Sequence, residues 1–276
     1  MNAPMRESTT RMLNKVPEVT LFFWVIKIMA TTVGETAADL LNSNLHFGLT
    51  GTSMVMGALL LIFLIFQIRS SKYIPWLYWI TVVLLSVFGT LITDNLVDNF
   101  GVTLQTTTAV FSVALVATFA AWYASEKTLS IHSIYTTRRE LFYWAAILFT
   151  FALGTAAGDL AAEGLHLGYA NSAVIYGALI VAVYIAYDGF KVNAIAAFWI
   201  AYILTRPFGA TCGDLLSKPV ADGGLGLGTV GTSGIFLVTI VALVAYLTIR
   251  QRNLLLSVKQ ARSDAPKTTQ PKSFDQ

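Results

Sequence analysis

The sequence predicts an all-α integral membrane protein with eight transmembrane helices, and three observations lead there. Of 276 residues 55% are hydrophobic and only 12% charged, and the mean hydropathy of +0.66 lies outside the range of soluble domains. Apolar windows of about 20 residues, each long enough to cross a bilayer as a helix, recur along the whole chain. Continuous runs such as "GALLLIFLIF" at 57–66 do not alternate, unlike the strands of a transmembrane barrel.

The first window, 19–41, follows a polar segment and lacks the short core and small-residue cleavage pattern of a signal peptide, so it is expected to stay as the first helix. The others run over 50–68, 75–97, 104–124, 141–162, 170–187, 193–216 and 229–249. Basic residues fix the expected orientation. Fifteen of the 18 lie on one side: Arg6, Arg11 and Lys15; Arg69 and Lys72; Lys127, Arg138 and Arg139; Lys191; and six from Arg250 to Lys272. Lys218 stands in the opposite loops, and Lys27 and Arg206 fall inside helices. By the positive-inside rule both termini are expected in the cytoplasm, in a bacterial inner membrane. A single cysteine, Cys212, excludes an internal disulfide and a multi-thiolate metal site.

A repeat organises the chain. Trp24, Trp79, Trp144 and Trp199 each open the same frame: tryptophan, nine residues, glycine, four residues, aspartate. The glycines are Gly34, Gly89, Gly154 and Gly209; the aspartates are Asp39, Asp94, Asp159 and Asp214. The copies begin 55, 65 and 55 residues apart, so the two halves superpose at a shift of 120, which also lays His46 on His166 and Gly57 on Gly177. Because each unit holds two spans, all copies enter from one side, and the expected arrangement is parallel repeats turned about the membrane normal, pseudo-fourfold or as two pseudo-twofold halves. The expected divisions are an N-terminal cytoplasmic segment 1–17, repeats at 18–72, 73–137, 138–192 and 193–250, and a basic, disordered cytoplasmic tail at 251–276. The glycines should permit close helix packing, and the tryptophans should anchor at the membrane interface.

On these four frames the chain resembles a family of bacterial membrane proteins built from four tandem copies of a two-span repeat of unknown function, over about residues 18 to 250. The resemblance implies architecture and no activity.

Function must come from the charged residues. Each aspartate lies roughly 22 Å along its helix from the tryptophan, and acids recur at a spacing of four: Glu35 with Asp39, Asp94 with Asp98, Asp159 with Glu163. Like charges at that spacing repel, and near lipid the cost grows unless a proton or cation is shared. Turned inward, the four faces would form an acidic cation site, with Asp39, Asp94, Asp159 and Asp214 as metal ligands and Glu35, Asp98 and Glu163 as coligands or proton acceptors. Hydroxyl and amide oxygens of Thr32, Thr36, Thr90, Thr93, Thr155, Thr211, Asn95 and Asn99 would suit hard cations. Arg206 and Lys27 are the expected counter-charges, and Pro207 is expected to interrupt its helix and free carbonyls.

The expected function is secondary transport of a small cation, a divalent metal of the Mn²⁺ kind, with export coupled to protons. The alternatives are a proton-coupled transporter of a small organic solute, with Tyr176, Tyr184, Tyr187 and Tyr202 lining its pocket, and a scaffold that transports nothing. No catalytic serine or cysteine frame occurs, so an enzyme is not expected; nor is a resident cofactor or a nucleic-acid partner. The expected partners are the bilayer and the small cation. "TGTSMVMG" at 50–57 and "GTVGTSG" at 228–234 lack the lysine and strand of a phosphate loop and read as tight packing.

Overall fold

The computed structural model describes residues 14–44 and 48–263; His46 and the end of the basic tail lie outside them. Among the described residues every regular element is helical, and eight helices are long and apolar enough to cross a membrane. They are α1 (Leu21–Asp39), α2 (Gly48–Arg69), α3 (Pro75–Asp94), α4 (Leu104–Glu126), α5 (Thr137–Asp159), α6 (Tyr169–Phe190), α7 (Ala194–Ser217) and α8 (Gly228–Ser263). The protein is a multi-pass membrane protein.

Local chemistry sets the boundaries. Thr20, Thr103, Thr136 and Asn193 cap α1, α4, α5 and α7 by accepting from backbone N–H groups of the first turn, and Pro75 opens α3 where its missing N–H costs nothing. Lys127 and Lys191 end α4 and α6 in the left-handed conformation. Past the frame aspartate, α1, α3 and α5 each run into a five-residue π turn, at Leu40–Asn44, Asn95–Asn99 and Leu160–Gly164. The fourth copy differs, since α7 continues as α-helix to Ser217.

The odd helices form a closed ring: α1 packs on α3, α3 on α5, α5 on α7, and α7 back on α1. Each even helix lies outside and packs on the inner helix of the following repeat: α2 on α3, α4 on α5, α6 on α7, and α8 on α1. The apolar stretches of the inner helices are 50–61% buried and those of the outer helices 6–22%, which fixes who faces lipid. This is the expected pseudo-fourfold bundle of parallel repeats.

The frame residues build that ring. A Cβ on Gly34 would run into Ser86, one on Gly89 into Phe151, one on Gly154 into Arg206, and one on Gly209 into Thr31. All four partners stand seven residues after their own tryptophan, so one glycine contact is repeated at each of the four inner interfaces. Backbones approach there because no side chain intervenes. Gly57 and Gly177 face Phe88 and Phe208, the same contact at the 120-residue shift.

The tryptophans depart from expectation. Trp79, Trp144 and Trp199 are buried at 1–4% exposure and Trp24 partly so; none of the first three is an interface anchor. The reason is the aromatic residue before each one: Phe23–Trp24, Tyr78–Trp79, Tyr143–Trp144 and Phe198–Trp199 form edge-to-face pairs at 5.1–5.2 Å. Together these pairs close the tryptophan end of the bundle. Below them the chain before α1 is tucked in, where Lys15 Nζ donates to Glu140 Oε2 at 2.6 Å and to the Ile68 carbonyl at 3.0 Å.

Two further expectations change. Pro207 does not interrupt α7, which is continuous through it. Thr205 Oγ1 donates to the Tyr202 carbonyl at 2.7 Å, and Thr31 Oγ1 reaches from α1 to the Thr205 carbonyl at 3.3 Å, so carbonyls around the kink-prone site find hydroxyl partners. The last helix runs through Ser263, so the first part of the expected disordered tail is helical. Leucines and good helix formers follow Arg250, with no proline before Pro266.

Candidate functional site

Along each inner helix, residues four apart share a face. Counting from each tryptophan, the positions at −1, +3, +7, +11 and +15 stack into five layers. The layer at +3 holds Lys27, Val82, Ile147 and Tyr202; the layer at +7 holds Thr31, Ser86, Phe151 and Arg206; the layer at +11 holds Glu35, Thr90, Thr155 and Ala210. None of these twelve residues is more than 5% exposed, so the face they share looks into the ring. The aromatic layer lies at one end, and the four frame aspartates form the layer at the other.

Arg206 marks the axis. The two hydrogens of its Nη2 are shared among Glu35 Oε2 on α1 at 3.0 Å, Thr155 Oγ1 on α5 at 2.6 Å and Thr90 Oγ1 on α3, while Nη1 donates to the Thr31 carbonyl at 3.2 Å. One guanidinium on α7 therefore binds all three other inner helices, fully buried. A planar fork of five donors can do this where an ammonium could not.

One turn beyond Arg206 the acids converge. Carboxylate oxygens of Glu35, Asp159 and Asp214 lie within 4.8 Å of one another, close enough to share a metal ion. Asp214 is 2% exposed, and its Oδ1 accepts no hydrogen bond among the described residues. Asp39 and Asp94 complete the layer, and their charges interact with that of Glu35. Of the seven expected ion-binding residues, the structure brings three, Glu35, Asp159 and Asp214, within reach of one ion. Asp98 and Glu163 are exposed on the π turns. Glu163 instead accepts from the Tyr169 hydroxyl at 2.7 Å and from Lys218 Nζ at 3.0 Å, with Asp214 Oδ1 at 3.7 Å from the same ammonium. Partial burial works to lower the Lys218 ammonium, but Asp214, the Tyr169 hydroxyl and Glu163 outweigh it, holding the lysine proton well above the ordinary range.

The two expected counter-charges take different places. Arg206 is paired with Glu35. Lys27, also fully buried, has no hydrogen-bond partner for Nζ among the described residues and sits between the rings of Phe151 at 4.4 Å and Tyr202 at 4.3 Å. Of the expected oxygen donors, Thr90 and Thr155 hold Arg206. Thr32, Thr36, Thr93 and Thr211 donate to helix carbonyls, Asn95 Nδ2 to Ser53 Oγ at 2.8 Å and Asn99 Nδ2 to Asn95 Oδ1. His166 is exposed. The hydroxyl-rich starts do serve packing, as Ser233 Oγ on α8 meets Thr36 Oγ1 on α1 at 2.7 Å.

Glu140 went unforeseen: 1% exposed, it gathers Lys15, Gln67 and Trp144 at the tryptophan end. Its signal was slight, an acid directly after Arg138 and Arg139 at the start of an apolar run. Tyr78 and Tyr143, whose hydroxyls lie 2.5 Å apart, were announced by the recurring aromatic–tryptophan pair. Of the expected organic-pocket tyrosines, Tyr184 and Tyr187 line an apolar groove of about 620 Å³ with Trp24 and Phe198, on the tryptophan half and away from the acids. Tyr176 donates to the Ala157 carbonyl at 2.7 Å and Tyr202 lies on the axis.

A family model described as Repeat of Unknown Function (DUF347) matches the chain at residues 22–73, 77–128, 142–188 and 197–253, one match for each frame with the helix that follows. No curated protein and no solved structure matches it.

Proposed function

We propose that this chain, which belongs to the DUF347 repeat family, is a secondary transporter that exports a divalent metal ion of the Mn²⁺ kind across a bacterial inner membrane in exchange for protons. The observation that carries the reading is the trio Glu35, Asp159 and Asp214, with carboxylate oxygens within 4.8 Å of one another on the axis of a four-helix ring. Buried acids gathered so closely repel unless a cation joins them, and oxygen ligands select hard divalent ions. Asp214 Oδ1, buried and accepting no hydrogen bond among the described residues, offers such an ion a ligand atom for which the Lys218 ammonium, 3.7 Å away, is the standing competitor.

Arg206 supplies the other half of the mechanism. It shares Glu35 with the trio, so it acts as a tethered cation that competes with the substrate. When a metal ion draws Glu35 into its own shell, Arg206 loses its ion pair and the contacts by which it joins the four inner helices weaken. When the ion departs, Arg206 returns to Glu35. The basic residues on the side of both termini support placing that side in the cytoplasm.

The test is flux into proteoliposomes with a panel of divalent metals. Asp159→Asn combined with Asp214→Asn should abolish saturable flux; an unchanged rate in that double variant would overturn the assignment. The apolar groove beside Trp24 and Tyr184 favours a second reading, carriage of a small organic solute with the acids as a proton relay. Inhibition of flux by organic amines, with no effect of divalent metals, would select it.

A further inference from the structure

We infer that Lys27 is the proton-exchanging group of the transport cycle, releasing one proton toward the tryptophan end for each cation that the acidic trio binds. The inference rests on the transport reading above and adds the carrier of the coupled proton.

Lys27 breaks the repeat at a decisive place. Its counterparts in the other copies are Val82, Ile147 and Tyr202, so a single amine stands in an otherwise uncharged layer at zero exposure. Buried polar groups are almost always hydrogen-bonded, and those that are not call for an explanation. Here the orphans cluster: Lys27 Nζ, the Tyr202 hydroxyl, Ser86 Oγ and Arg206 Nε, all in the +3 and +7 layers, have no hydrogen-bond partner among the described residues. A purely structural lysine would reach a carboxylate or a carbonyl. This one is held between two aromatic faces, a setting that tolerates the ammonium and the free amine alike.

The surroundings leave Lys27 as the group that can do this work. On α7 it faces Tyr202 and Arg206; a guanidinium does not give up its proton in proteins. On α3 the chain between Tyr78 and Asp94 carries no titratable side chain, nor does α5 between Tyr143 and Asp159. On its own helix the next titratable residue is Glu35, on the far side of Arg206. Tyr78 and Tyr143 are bonded to each other one layer nearer the tryptophan end. Phe151 is shared, its ring 4.4 Å from Lys27 Nζ and 6.0 Å from Arg206 Cζ, so the two side chains are neighbours in one buried column.

The coupling follows from charge. With Arg206 paired to Glu35, the column accommodates a proton on Lys27. When a metal ion takes Glu35, the Arg206 charge is uncompensated beside Lys27, and the ammonium yields one proton to become an amine. Release of the ion restores the Arg206–Glu35 pair and Lys27 is reprotonated. The cycle balances as one proton out of Lys27 for one cation into the trio.

The experiment uses the full-length protein with Mn²⁺ as probe, comparing Lys27→Met and Lys27→Gln with wild type in two modes. Metal–metal exchange without a pH gradient should persist in both variants. Flux driven by a pH gradient should fall by about 100-fold or more, and proton release on Mn²⁺ binding, read with a pH-indicator dye in detergent, should drop below wild type by one proton per ion, the protons that the carboxylate ligands give up remaining. Lys27→Gln keeps length and polarity and carries the same readouts should Lys27→Met not fold. Proton release and gradient-driven flux equal to wild type in either folded variant would overturn the Lys27 assignment alone. A folded wild type that neither binds nor moves any divalent metal would overturn the transport reading, and this one with it.

Discussion

Neutralising Glu35 and neutralising Arg206 should destabilise the protein unequally. The pair is buried, with Arg206 at zero exposure and its Nη2 3.0 Å from Glu35 Oε2. Removing one partner of a buried ion pair costs about 3–5 kcal/mol, because the other charge is left without compensation. In Glu35→Gln the stranded guanidinium keeps Thr90, Thr155 and the Thr31 carbonyl, and the repulsion that Glu35 exerts on Asp159 and Asp214 is relieved. The cost should sit near the lower bound, about 3 kcal/mol. Arg206→Met keeps the Cβ and Cγ that lie beside Gly154 but leaves Glu35 in a group of acids with its cation gone and strips Thr90, Thr155 and the Thr31 carbonyl of their donor. That cost should reach about 5 kcal/mol or prevent folding. The double variant loses both charges together and should be more stable than Arg206→Met by about 2 kcal/mol or more, a coupling of the size seen for residues in one network. Equilibrium unfolding in mixed micelles, followed by tryptophan fluorescence and circular dichroism, measures all four proteins. Glu35→Gln equal to or worse than Arg206→Met, or strict additivity in the double variant, would refute the reasoning.

Three more outcomes follow from single positions. Gly154→Ala drives a methyl group into Arg206 and should cost about 1–3 kcal/mol in the same unfolding assay. Gly158→Ala, one turn on, meets Ala210 and Pro207 at 3.6 Å and should be neutral or stabilise by up to about 1 kcal/mol through helix propensity. Lys218 holds its proton above the ordinary lysine range, so the reactive free amine stays scarce until the pH passes well beyond that range. An amine-directed acylating reagent should therefore label Lys218 far more slowly than the 80%-exposed Lys191, read by mass spectrometry of peptides; equal rates at mildly alkaline pH would contradict the bridge to Asp214 and Glu163.

Much of the ring was legible because four copies of one frame oblige four interfaces to look alike. Trp24, Gly34 and Asp39 recur at fixed spacing, and the glycine contacts recur with them. The hand-over of each outer helix to the next repeat was not legible. α2, α4 and α6 are apolar on nearly every side, as lipid requires, so no stripe marks the face that meets protein. Convergence of the acids was readable from their spacing, but its centre was misjudged. The recurring aspartates drew attention, whereas Glu35, Arg206 and Lys27, each present in one copy, occupy the deeper layers. Shared residues build the scaffold and its layer of aspartates, and unshared ones charge the layers beneath it. Pro207 misled because a proline deprives its helix of one hydrogen bond, at the Ile203 carbonyl, and α7, packed on α1, α5 and α6, runs on through that loss.

Because α8 seats itself on α1 in the way that α2 seats itself on α3, the bundle has no intrinsic beginning. The first and last spans pack on each other, so the seam of the ring falls between the fourth repeat and the first. Until the last span arrives, the first is flanked on one side by lipid alone, so this ring is completed by its final segment much as a barrel is closed by its last stave.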